Sequence, residues 1–332
     1  MTLASFDPFG PALSPLALVA IGALVWLYLR GARRPRLVRE QVSPLRHLLF
    51  ASGVLALAFA FEGALAATGS RLFAVHQVQH LLLRLIGPIL VVLSHPWPIL
   101  RAGLPRALRH SLGRMGDRPG FAGAARLLTR LDVNFVLMIG ALYIWQVPAL
   151  HNAAVTLPWL ALLAHLSMTA AGLGFFSVTL DRRAAPEGAI HGLRILALIG
   201  IILSNILLGS LTTLKGTVLY SGYDIAGRLW DFAPLADETV GGYTIWVPSS
   251  FVIVAAIILV FNGWNAVEVR QWNARHDWSG SNAAALEYPE TAQELRLKVS
   301  DRNLRLVRTL ALIAATMFVG AIVTVTTLVY AF

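Results

Sequence analysis

This sequence of 332 residues contains no cysteine at all. That absence excludes disulfides, thiolate zinc sites and any thiol-based copper relay within the chain. Charge is also scarce, at 13 %, and acids are outnumbered, with 17 Asp and Glu against 27 Lys and Arg. Residues 1 to 11 carry no basic side chain, and arginines follow the first apolar run, so no cleavable signal peptide is expected. No internal repeat, low-complexity tract or His-Glu-x-x-His motif is present, and without that glutamate a zinc protease lacks its general base. The basic residues form no patch interleaved with aromatics. Their net charge of +10 therefore points to anionic lipid headgroups rather than to nucleic acid.

What is abundant is apolar: 57 % of the residues are hydrophobic, far more than a soluble core of this size uses. Apolar runs of roughly 20 residues each predict spans near 12–30, 47–67, 75–98, 133–151, 158–180, 191–213, 243–263 and 308–330. The predicted fold is an all-α polytopic transmembrane bundle of about eight spans, with seven the alternative count. Residues 1–332 form a single membrane domain in this reading, and 264–305 form a polar loop with a short helix.

Arginines crowd alternate loops: Arg30 to Arg46, Arg101 to Arg130, Arg182 to Arg194, and Arg270 to Arg308. The opposite loops hold only Arg71, Lys215 and Arg228. The positive-inside rule then predicts both termini outside the cytoplasm.

His76 and His80 carry the main chemical signal. Four residues is about one helical turn and about 6 Å of rise, so both imidazoles leave one face of the third predicted helix. Ionisable groups are costly inside a bilayer, which makes such a pair a candidate site; hydrogen bonding between helices is the plainer alternative. The topology places four further groups at similar depth: Glu62, His151, His165 and, three residues after it on the same face, Met168. Imidazoles with a thioether suit copper, and zinc is the competing ion. Glu62 is read as a ligand, as a carboxylate orienting an imidazole, or as an ion-pair partner for Arg84, one turn beyond His80. His47, His95, His110, His191 and His276 map to the opposite side and are set apart from the site. A b-type haem between His80 and His165, or an ion or proton pathway through Glu62, Arg84 and the histidines, are the alternatives.

The stretch Phe73-Ala74-Val75-His76-Gln77-Val78-Gln79-His80, followed by Gly87-Pro88 and Pro96 to Pro98, resembles the signature helix of the polytopic CtaG family of bacterial cytochrome c oxidase assembly factors. Pro148 to Ala154 followed by His165 is similar to the family's second motif, and Asp237 to Trp246 to its third. The resemblance covers about residues 50–265. It implies a multi-pass protein of the bacterial inner membrane, not an enzyme, that helps to mature haem-copper oxidase by supplying copper to the oxidase catalytic subunit. It also implies that His76, His80 and His165 are the family's histidines. A periplasmic copper chaperone is a further expected partner, besides membrane lipid. Asp237 and Trp246 are expected to face a partner. Gln77 and Ile245 stand where methionines are common in the family, and His151 is expected to add a nitrogen donor in compensation.

Overall fold

A computed structural model describes residues 15–34, 42–116, 119–183, 185, 187–225, 227–275, 304–305, 307–313, 315–316 and 319. Every regular element among the described residues is helical. The chain divides into two units, Met1–Trp264 and Asn265–Phe332. The second is described in residues 265–275 and in helical residues between 304 and 319. The polar-loop helix expected within 264–305 and the span expected at 308–330 lie largely outside the described residues, as do His276 and both chain ends.

Helix α1 is Pro15–Ala32 and α2 is Pro44–Phe61. Proline opens α2, where its missing N–H and fixed φ do no harm. The helix stops at Glu62 because Gly63 turns to a φ of 91°, a conformation other residues rarely adopt. The short α3, Ala64–Gly69, leads into α4, Phe73–Leu93, whose centre from Leu82 to Ile86 is wound as a π-helix. His95, in the left-handed region, and Pro96 then start α5, Pro96–Gly103. Helices α6, Arg106–Gly116, and α7, Pro119–Leu128, carry much of the arginine that follows.

The next stretch is α8, Leu131–Ile144, α9, Pro148–Thr156, α10, Pro158–Thr179, and α11, His191–Leu214. A segment with a short α-helix, α12 (Gly222–Ile225), and a 3-10 turn at Leu229–Asp231 leads to α13, Pro234–Arg275.

Among the described residues, five helices are long and apolar enough to cross a membrane: α2, α4, α10, α11 and, within α13, Pro234–Trp272. A sixth span results if α8 and α9 are taken together, although they meet at 73°. The expectation of about eight spans is thus met only in part. The predicted fourth span, 133–151, is broken because Pro148 has no N–H to continue a helix and disfavours helical geometry at Val147. In α1 the apolar stretch, Leu18–Ala32, is shorter than a span.

Leu85, Ile89 and Val92 of α4 pack with Met138 of α8, Phe175 and Phe176 of α10, Leu198 and Ile201 of α11, and Ile253 and Val260 of α13. In lipid, apolar burial gives little net gain, so close packing and interhelical hydrogen bonds must hold such a bundle. Gly172 shows how close the approach is. A Cβ there would lie 2.2 Å from the Arg84 carbonyl oxygen, so α10 meets the backbone of α4 where only glycine fits. His165 stands two turns from Gly172 on α10, and His80 one turn from Arg84 on α4. That contact brings the two imidazoles together.

Candidate metal centre

The start of α4 is fixed from outside its own sequence. Leu72, before the helix, offers no capping side chain, and the carboxylate of Asp237 accepts the amides of Phe73 and Ala74 at 2.8 and 2.9 Å. A buried acceptor there satisfies two N–H groups that have no partner within the helix and complements its positive end. Asp237 also pairs with Arg228, which donates to Asp224 at 2.7 Å and to the Tyr220 carbonyl at 3.1 Å. Glu238, equally buried, accepts the amides of Leu219 and Tyr220 and pairs with Lys215. The two adjacent acids at the head of α13 thus clamp residues 215–228 over the end of α4. Asn152 of α9 secures the same segment, accepting from the Gly222 amide and donating to the Leu219 carbonyl.

Tyr220 stacks on Phe73 with ring centroids 4.3 Å apart and donates to the Gln146 carbonyl at 2.9 Å. Burial, reinforced by the Glu238 carboxylate, raises its phenol pKa above the usual tyrosine value.

Beneath this cover, His76, His80 and His165 offer three ring nitrogens that all lie within 4.8 Å of one another, and all three side chains are buried. Both ring nitrogens of His80 and Nε2 of His165 have no hydrogen-bond partner. Buried polar atoms are ordinarily paired, so unpaired imidazole nitrogens converging on one point mark a ligand-ready site. Three neutral nitrogen donors without thiolate or carboxylate fit copper or zinc and exclude calcium and magnesium as natural occupants.

The hydrogen bonds select a tautomer for His76. His151 Nδ1 lies 2.8 Å from the Trp145 carbonyl, which can only accept, so a neutral His151 carries its proton on Nδ1. Its Nε2, 2.6 Å from the Tyr223 hydroxyl, therefore accepts that proton. The Tyr223 oxygen, 2.7 Å from His76 Nδ1, is left to accept from it. His76 consequently presents the lone pair of Nε2, as histidines on metals do when a partner holds the other nitrogen.

His76, His80 and His165 are thus brought together as expected. His151 adjoins them, with its ring 5.0 Å from that of His76, but both of its nitrogens are engaged and it orients rather than joins the group. Met168 is fully buried among Trp145, Ala154, Leu160 and Ala164. Glu62 terminates α2 and is not the partner of Arg84, whose Nη2 donates to Asn205 Oδ1 at 3.0 Å. Asp237, expected to face a partner, is instead fully buried, because its carboxylate caps α4 and neutralises Arg228. Trp246 packs its ring against Gly209 of α11. Sequence reasoning missed Tyr223, Arg228 and Asn152. For Tyr223 and Arg228 the signal was the run of aromatic and turn residues between Lys215 and Gly242, which interfacial anchoring explains equally well, and Asn152 lies in the stretch Pro148 to Ala154.

The family model for the cytochrome c oxidase caa3 assembly factor (Caa3_CtaG) matches residues 26–266. The chain, an all-helical bundle among its described residues, therefore belongs to the Caa3_CtaG family. The match begins within α1, earlier than the motifs alone indicate. An uncharacterized protein of Mycobacterium leprae is 22 % identical over 66 % of this chain and 34 % of its own length. Uncharacterized proteins of Mycobacterium bovis and Mycobacterium tuberculosis are each 23 % identical over 70 % of this chain and 36 % of theirs. The chain spans about a third of the length of these curated relatives. No solved structure matches it.

Proposed function

We propose that this protein is a copper-handling assembly factor of the bacterial inner membrane, which holds copper transiently at His76, His80 and His165 and passes it to the catalytic subunit of a haem-copper cytochrome c oxidase. The observation that carries this reading is the set of three buried imidazoles, two of them with unpartnered nitrogens, in a chain of the caa3 assembly-factor family. The metal is cargo, so the protein acts by binding and release rather than by catalysis.

Copper is preferred to zinc on charge. No carboxylate enters the group, and a monovalent ion on three neutral nitrogens is cheaper to bury than a divalent one. His151 and Tyr223 set the His76 tautomer, while Met168 would lend only soft, polarisable packing nearby. A periplasmic copper carrier would deliver the ion from the side covered by residues 215–228, which the arginine distribution makes the non-cytoplasmic side.

The test is metal analysis of the detergent-purified full chain offered Cu(I), Zn(II) and haem in turn. One copper per chain, lost on His80→Ala without loss of fold, is expected. Zinc in preference to Cu(I), or a Soret band with haem, would contradict the copper assignment.

A further inference from the structure

One turn deeper than the histidines, the bundle holds a second group of unpaired polar atoms. Arg84 is 3 % exposed, and among the described residues its Nε and Nη1 have no hydrogen-bond partner, while Nη2 donates to Asn205. No carboxylate among the described residues pairs with it, since Asp237 and Glu238 are committed to Arg228 and Lys215. A buried guanidinium without a counter-charge is costly, more so in a membrane bundle.

Unpaired N–H donors accompany Arg84. Asn205 gives its oxygen to Arg84 and leaves Nδ2 unpaired. Gln77 gives its oxygen to Gln146 Nε2 at 2.6 Å and likewise leaves Nε2 unpaired. His80, on the same face of α4, carries one ring N–H. Gln77, His80, Arg84 and Thr244, with Leu81 and Leu142, line one cavity of about 10 Å³. The Thr244 hydroxyl is already engaged with the Val240 carbonyl. Arg84 also sits in the π-helical turn of α4, a distortion that often accompanies a functional site and here replaces the regular ladder around the arginine.

We propose that this cavity is a binding site for one small monatomic anion, of the chloride class, held by Arg84 and the Gln77 amide. A site of donors around a fixed positive charge selects an anion over a cation. Its volume excludes phosphate, carboxylate and larger oxyanions. The site stands on its own atoms and does not depend on metal at the histidines. With copper bound, the same anion would neutralise part of the charge gathered beneath the covering segment.

Binding of labelled chloride to the detergent-purified full chain, by equilibrium dialysis, tests this. Saturable uptake of one chloride per chain is expected, with affinity reduced about tenfold or more in Arg84→Gln and unchanged in His165→Ala. No saturable uptake by folded wild type, or equal uptake by a folded Arg84→Gln variant, would overturn the proposal. Should Arg84→Gln not fold, crystals of the wild-type chain grown in bromide decide: anomalous density beside Arg84 and Gln77 supports the site, and a water alone refutes it. Loss of chloride binding in His165→Ala would refute the separation of the two sites.

Discussion

The Tyr223 hydroxyl and His76 Nδ1 lie 2.7 Å apart, and this contact joins the segment between α11 and α13 to the ring group on α4 and α10. A Tyr223→Phe variant leaves His76 Nδ1 without its acceptor and lets the ring turn. Copper affinity is expected to fall about tenfold to a hundredfold, the usual effect of removing a group that orients a metal ligand. Competition with a chromophoric Cu(I) chelator measures it, and unchanged affinity would contradict the orienting role.

His151 acts on His76 only through Tyr223, so its loss and that of the tyrosine should not add. His151→Ala is expected to weaken copper binding, and the double variant with Tyr223→Phe should be little worse than either single one. Additive losses would instead place His151 on the metal.

Breaking the buried Asp237 to Arg228 pair is expected to be severe. In Asp237→Asn, Arg228 keeps its charge without its principal counter-ion, and one-sided loss of a buried pair costs about 3–5 kcal/mol. The loosening should begin in residues 215–228, where hydrogen exchange of the Leu219 and Tyr220 amides would rise before that of α10. Uniform exchange increases across the bundle would contradict a local clamp.

Alkaline titration reads Tyr220. Its folded pKa is raised by burial and by Glu238, whereas in the unfolded chain the phenol titrates near 10. Its contribution to stability is therefore complete below about pH 10 and fades as pH climbs from there toward the folded value. Thermal midpoints should drop over that window in wild type and drop less in Tyr220→Phe.

Gly172→Leu tests the contact that brings His165 to His80. The side chain must displace the Arg84 carbonyl, costing about 1–3 kcal/mol. Copper retention should fall even though no ligand is touched; retention equal to wild type would show that the helices tolerate separation.

The periodicity of His76 and His80 on one helix was legible in the sequence because it is local, a matter of one turn. The partnership with His165 followed from matching depths in a bundle, and the family motifs agreed with it. Tyr223, by contrast, lies 147 residues from His76, in a segment whose aromatics look like interfacial anchors until its fold is known. Asp237, expected to face a partner, is buried for the same reason: only the three-dimensional path of α4 shows which amides it receives. The span count suffered where proline acts. Pro148 divides one continuous apolar run into two helices meeting at 73°, which hydropathy cannot register.

The most direct measurement is Cu(I) X-ray absorption with elemental analysis on wild type beside the His76→Ala, His80→Ala double variant, both confirmed folded. One copper per chain with nitrogen-only first-sphere donors, absent from the double variant, is the expected result. Equal copper in the two proteins, or sulfur in the first sphere, would contradict a site made of His76, His80 and His165.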